Sequence, residues 1–229
     1  MIEATSFPDT KSLTNAVVSL LREHMTHAGD DTPHAVMLSG GSTPMAAYQA
    51  IAASPFPVSP DLRVLFSDDR MALPDSPKSN YGNTLPMLKA LGIPDGHVIR
   101  VHAEHPAPEA ATRYGHELGK FLDARGRVTL GLLGLGTDGH TASLFSADHL
   151  RQGEGAWAIA VKRPDGLDGV SATPQFIERV ERIVFLIAGK DKREMAQRLL
   201  KDSRSIPAGK AVAGNKSVEI WTDPAACPL

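Results

Sequence analysis

Cysteine is nearly absent. Cys227 is the single thiol among 229 residues, which excludes an internal disulfide and a cysteine-rich metal site. Flanked by Pro224 and Pro228, it is also a poor candidate for a nucleophile. No excess of basic charge exists either. Lys and Arg number 24 against 26 Asp and Glu, for a net charge of −2, so nothing points to nucleic acid or an anionic membrane as a partner. Long apolar runs are missing: the longest, such as residues 128–133 and 183–188, are strand-sized and too short to cross a bilayer. The opening Met-Ile-Glu-Ala-Thr has no cationic region followed by an apolar stretch, so it does not read as a secretory signal. What is present is ordinary for a globular chain, with 42% hydrophobic and 22% charged residues. A cytoplasmic protein is expected.

Helix-type and strand-type periodicity alternate along the chain. Leu13, Val17, Leu20 and Leu21 form the apolar stripe of a first helix, with Thr10 or Ser12 as its cap and His24 and His27 near its end. Residues 35–38 read as a buried strand, followed by a glycine-rich turn and a helix from Pro44. A strand is expected over 62–66, a helix over 79–91 and a strand over 98–101. Ala111, Tyr114, Leu118 and Phe121 recur at helical spacing before a strand at 128–133. Strands over 158–161, 183–188 and 217–221 follow, with a helix over 190–200. Segment 165–175 is the least regular, a mobile loop or a strand edge. Strands separated by helices predict an α/β fold: a mostly parallel, Rossmann-like sheet covered by helices on both faces, in a single domain over 1–229.

In such sheets ligands sit at the carboxyl ends of the strands, and four segments place unusual residues there. Ser39-Gly40-Gly41-Ser42-Thr43-Pro44 combines close-approach glycines, two hydroxyls and a proline suited to the first helical position. Uncapped amides at that helix start, backed by its dipole, suit a phosphate. No Gly-Lys-Ser/Thr closes the turn, so it is not a nucleotide P-loop. A well-capped tight turn is the plainer reading. Phe66-Ser67-Asp68-Asp69-Arg70 follows a strand. It is either a solvated charged turn or a place where Arg70 grips phosphate and a carboxylate orients a sugar hydroxyl or a histidine. Ser79-Asn80-Tyr81 lies beyond a loop and is able to close over the same area.

The sharpest segment is Gly134-Leu135-Gly136-Thr137-Asp138-Gly139-His140-Thr141-Ala142-Ser143-Leu144-Phe145. Its glycines formally spell a dinucleotide fingerprint. Asp138, however, would oppose a pyrophosphate, and no acid-ended strand follows at about twenty residues. A narrow turn holding His140 at the mouth of the sheet, before a helix start, fits better. Imidazole, with a reference pKa near ~6.5, is the natural acid–base group at neutral pH. Asp138 is placed to fix its tautomer or to meet the sugar. Ser143 has no nucleophile elbow around it. His97, His102, His105 and His149 look like surface loop residues. Gly189-Lys190-Asp191-Lys192 completes the set, since lysines at a helix start are a misfit unless an anion is near.

In order and spacing, these segments resemble the 6-phosphogluconolactonase family, within the wider group that includes glucosamine-6-phosphate deaminases. The match runs from about residue 13 to residue 221; the glycine–histidine run is specific and the other segments are supportive. The resemblance implies cofactor-free hydrolysis of a small-molecule partner, 6-phospho-D-glucono-1,5-lactone, to 6-phosphogluconate in the pentose phosphate pathway. It implies that His140 is the general base and that Asp68 and Asp138 lie in the active site. It also implies that Ser39, Gly40, Gly41, Ser42, Thr43, Arg70 and Lys192 hold the phosphate, with no metal. Two departures stand out. An arginine often expected just before Val170-Ser171-Ala172-Thr173 is Gly169 here, with Arg163 or Arg179 as stand-ins. The related deaminases carry an acid where this chain has Phe145, which favours the lactonase. A deaminase or isomerase on the same scaffold is the alternative. A non-catalytic sugar-phosphate sensor would want a DNA-binding helix pair and a basic surface.

Overall fold

The structure, a computed structural model, describes residues 2–26 and 32–227. His27 lies outside the described residues. Six strands form a wholly parallel sheet in the order β1 (Glu3–Ser6), β9 (Val218–Thr222), β8 (Ile183–Ile187), β5 (Arg127–Leu133), β2 (His34–Leu38), β3 (Leu62–Phe66). A second, antiparallel sheet runs in the order β4 (Asp68–Arg70), β7 (Asp168–Ala172), β6 (Ala158–Lys162).

Strand parity decides what each face of the large sheet packs against. Ala35 and Met37 of β2 and Ile183 and Phe185 of β8 join the cluster that holds Tyr114 and Leu118 of α4 (Ala107–Asp123). Met195 and Leu199 of α7 (Arg193–Lys201) belong to it too. Val36, Leu38, Val184 and Leu186 point the other way. Their partners are the stripe of α1 (Thr10–Thr26), Tyr48 and Ile51 of α2 (Ser42–Ala53), and Met87 and Leu88 of α3 (Asn80–Ala90). Both faces are thus covered by helices, and the central strands β2, β5 and β8 carry apolar residues on both sides. Shorter helices α5 (Ala147–Gln152), α6 (Pro174–Ile177) and α8 (Pro207–Ala211) complete the chain. Among the described residues no helix is long and apolar enough to cross a membrane.

From β2 the chain steps outward to β3, whereas β5 leads through β8 to β9 on the other side. The order therefore reverses between β2 and β5, the position where open α/β sheets leave a crevice. The loops after β2 and β5 are the glycine–serine turn and the glycine–histidine turn.

Several local expectations need correction. Asp9, not Thr10 or Ser12, caps α1: its Oδ1 accepts from the Ser12 amide at 2.6 Å. Helix α2 starts at Ser42, so Pro44 is its third residue, still within the turn whose amides have no intrahelical acceptor. Residues 98–101 form no strand beyond one bridge from Val98 to Val64. Segment 165–175 contains β7, the central strand of the small sheet. The polar edge strand β1 has no apolar alternation to betray it.

Candidate active site

At the end of β2, Ser39 is buried, and its carbonyl accepts a hydrogen bond from the Tyr48 hydroxyl of α2 at 3.0 Å. Gly41 follows with φ 111°, and no side chain among the described residues caps the first turn of α2. Gly40, Gly41, Ser42 and Thr43 line a cleft of about 280 Å³. The amides of that first turn are thus left for a ligand, with the positive end of the helix dipole behind them.

Arg70 lines the same cleft. Its Nη1 donates to Asn80 Oδ1 at 3.0 Å and to the Lys78 carbonyl at 3.2 Å, and its buried Nε has no hydrogen-bond partner among the described residues. Asp69 holds this corner. Its carboxylate accepts from the amides of Arg70 (2.8 Å), Asn80 (2.7 Å) and Tyr81 (3.0 Å) and from the Ser79 hydroxyl (3.3 Å). Burial pushes the Asp69 pKa up to about 6, outweighing the hydrogen bonds from the Tyr81 and Asn80 amides. Segment 79–81 does close over the area, since Asn80 lines the cleft. Lys192 does so too, from a tight 3-10 turn, Lys190–Lys192, that precedes α7.

His140 faces the cleft from the turn after β5. Its Nδ1 lies 2.5 Å from Asp138 Oδ1, which also accepts from the His140 amide at 3.2 Å. Partial burial would raise the Asp138 pKa, but the two hydrogen bonds from His140 outweigh it and hold the carboxyl below its ordinary value. With Nδ1–H committed to Asp138, a neutral ring presents Nε2 as the basic nitrogen. Asp138 itself does not line the cleft; it braces the ring. Gly136 makes the pairing possible, because a Cβ there would fall 2.1 Å from His140 Nδ1 and 2.4 Å from Asp138 Oδ1. The expected helix start after His140 is absent. Residues 141–144 close a bridged turn, and α5 begins later under a Ser146 cap.

Asp68 lines the cleft without touching His140. Its Oδ1 accepts from Ser67 Oγ at 3.0 Å and its Oδ2 from Ser143 Oγ at 2.7 Å. Ser143 is fully buried with its proton committed to a carboxylate, an arrangement unsuited to a nucleophile. Of the two stand-in arginines, Arg163 reaches the cleft, whereas Arg179 lies over the Trp157 ring, 5.7 Å from its centroid, at a separate cavity. His149 is not a loop residue: it sits in α5 and its Nδ1 accepts from the Phe145 amide at 3.2 Å.

The structure therefore brings Ser39, Gly40, Gly41, Ser42, Thr43, Asp68, Arg70, His140 and Lys192 to one cleft, with Asp138 behind the imidazole. Three supporting residues escaped the sequence reading. Tyr114 of α4 hydrogen-bonds to the Phe66 carbonyl at the end of β3, as Tyr48 does to Ser39 at the end of β2. Asp223 accepts from the Gly189 amide at 3.2 Å and so holds the turn that carries Lys192. Scarcity was the available signal for the tyrosines, which number three in the whole chain.

A family model described as Glucosamine-6-phosphate isomerases/6-phosphogluconolactonase matches residues 8–221. A Haemophilus influenzae protein named 6-phosphogluconolactonase is 31% identical over 231 residues, covering 98% of both chains. The solved structure of a Trypanosoma cruzi 6-phosphogluconolactonase aligns with a TM-score of 0.83 at 22% identity, over 99% of this chain and 96% of that one. A monomeric glucosamine-6-phosphate deaminase aligns with a TM-score of 0.80 at 17% identity, over 98% of each. Those two structures share the fold, and fold alone does not separate their activities. By its family match and its full-length relative, the chain belongs to the glucosamine-6-phosphate isomerase/6-phosphogluconolactonase family.

Proposed function

We propose that this chain is a 6-phosphogluconolactonase, hydrolysing 6-phospho-D-glucono-1,5-lactone to 6-phosphogluconate in the cytoplasm as a step of the pentose phosphate pathway. The observation that carries this reading is the shared cleft: a braced imidazole and an uncapped helix turn with Arg70 and Lys192 line the same space. The turn at residues 39–43, Arg70 and Lys192 clamp the phosphate, which fixes the lactone carbonyl near His140. His140 Nε2 takes a proton from water as the water oxygen bonds to C1. The amides of Gly136 and Gly139 already donate to the carbonyls of His140 and Gly136. Those two amides are therefore not the donors that meet the developing oxyanion. As the tetrahedral intermediate collapses, the bond from C1 to the ring oxygen breaks and His140 returns its proton to that oxygen. Asp138 keeps the tautomer in register through both transfers.

The Phe145 ring packs 4.3 Å from the imidazole, centroid to centroid. An apolar ring carries no proton, and this weighs against the ring opening and amine loss of a deaminase. A timed assay with freshly made lactone, corrected for spontaneous hydrolysis, tests the reading. Wild type should turn over the lactone and His140→Asn should lose about 100-fold or more. An unaffected His140→Asn ends the mechanism, and ammonia release from glucosamine 6-phosphate reassigns the chain as a deaminase.

A further inference from the structure

We infer that Arg163 is a positioning residue that holds Asp68 toward the lactone ring, and that Gly169 is the position that lets its side chain reach there. The inference rests on the lactonase reading and deepens it.

Arg163 follows β6 in a tight turn, its amide donating to the Leu167 carbonyl at 3.0 Å. Its side chain is only 8% exposed, because it lies across the neighbouring strand β7 at Gly169. A Cβ at Gly169 would stand 3.0 Å from Arg163 Cδ and 3.2 Å from the Asp69 carbonyl oxygen. Any larger side chain at 169 therefore meets the stem of Arg163.

Every nitrogen of the guanidinium is occupied. Nη1 donates to Ser143 Oγ at 2.6 Å and lies 3.7 Å from Asp68 Oδ2. Nε and Nη2 donate to Asp165 at 3.2–3.3 Å. Two carboxylates flank one charge, so Arg163 is not an open anion grip as Arg70 is. What it does is orient. A hydroxyl has one proton, and Arg163 fills an acceptor site of Ser143, which directs that proton to Asp68 Oδ2. A charged donor behind the hydroxyl strengthens the bond it makes in front. Asp68, pinned on its other oxygen by Ser67, is left in one orientation at the cleft wall, set to accept from a ring hydroxyl of the lactone.

The test compares Arg163→Ala, Ser143→Ala, their double variant and Gly169→Val with wild type. It reads kcat, KM and the inhibition constant of inorganic phosphate, with thermal unfolding to confirm folding. Arg163→Ala should lower kcat about tenfold or more and leave phosphate inhibition within about twofold of wild type, because Arg163 is no part of that grip. Ser143→Ala should match it, and the double variant should lose no more than the worse single, the signature of one relay. Gly169→Val should reproduce the loss with the arginine still present. Where Arg163→Ala fails to fold, Arg163→Lys and Gly169→Val carry the same test. Weakened phosphate inhibition makes Arg163 a phosphate ligand and overturns the proposal, as do additive losses. Folded variants with wild-type kcat overturn it outright. A wild-type protein inactive on the lactone removes the proposed function and this inference with it, whereas an active wild type with unmoved variants removes the inference alone.

Discussion

Two arginines face the same cleft and are treated in opposite ways. Arg70 has neutral acceptors on Nη1, a buried Nε without a partner and no carboxylate within ion-pair distance among the described residues. Arg163 is held between Asp68 and Asp165 with all its nitrogens used. The contrast extends to their surroundings. Around Arg70 stand the uncapped turn of α2, the buried hydroxyl of Ser39, which has no partner among the described residues, and Lys192. Around Arg163 stand Ser143, Ser67 and Asp68 in a closed set of hydrogen bonds, with the His140–Asp138 pair in the same cleft. One end presents donors that have no acceptor among the described residues, as the proposed anion grip requires; the other is fixed by hydrogen bonds within the protein. Catalysis by preorganised groups needs the second, and tight capture of a charged handle needs the first.

The sharpest way to break this division is to exchange kinetic signatures between the ends. Removing the proposed base should act on turnover alone. His140→Asn is expected to lower kcat by about 10²–10⁴-fold with the inhibition constant of inorganic phosphate unchanged. A comparable loss of phosphate affinity would mean that the imidazole belongs to the anion grip and that the two ends are one.

The next largest effect lies beneath Arg70. Burial raises the Asp69 pKa from 3.8 to about 6, so the folded chain holds that proton more tightly than the unfolded chain does. The resulting stabilisation is complete below about pH 4 and is lost as pH rises through 6, a change of about 3 kcal/mol. Unfolding free energies of wild type and Asp69→Asn, measured in urea from pH 4 to 7, should differ by a quantity that declines over that window. A flat difference would show that the hydrogen bonds from Arg70, Asn80 and Tyr81 already offset the burial. Above pH 6 the ionised carboxylate remains costly, and its return is local: it fixes the start of α3 and the backbone beneath Arg70.

A smaller effect is expected from Arg70 itself. Truncation to alanine should raise KM and weaken phosphate inhibition by about 1.5–3 kcal/mol, the worth of a charge-assisted hydrogen bond. kcat should fall much less than in His140→Asn. Equal losses in kcat and affinity would instead place Arg70 at the reacting carbon.

Much of this was legible because it is local. Each site turn follows a strand whose apolar run announces itself, and Gly136, Asp138 and His140 interact within a few residues of one another. That ligands sit at the carboxyl ends of the strands follows from the alternation of elements, whereas the strand order that opens the crevice between β2 and β5 does not. What stayed hidden depends on partners distant in sequence. β7 looked irregular because, although β6 just before it pairs on one side, its other neighbour β4 comes from a distant segment, and β4 spans three charged residues that read as a turn. Arg163 meets Ser143 and Asp68 only once β6 and β7 have paired, so no spacing rule favours it over Arg179. The Asp9 cap was missed by one to three positions, since several neighbouring polar residues suit that role equally well.

The smallest effect isolates the scaffold from the chemistry. Tyr48 is buried, and its hydroxyl donates to the carbonyl of Ser39, the residue at which β2 turns into the proposed anion site. Tyr48→Phe removes one hydroxyl without creating a large cavity, and should cost about 1 kcal/mol of stability. Its kinetic trace decides how rigid that turn must be. If the phosphate grip depends on the Ser39 carbonyl being held, phosphate inhibition should weaken by a few-fold at constant kcat, because the hydrogen bond lies wholly at the Arg70 end. A drop in kcat with unchanged phosphate inhibition would mean instead that strain at β2 is transmitted through the adjacent β5 to the turn carrying His140, and the two ends would no longer be separable.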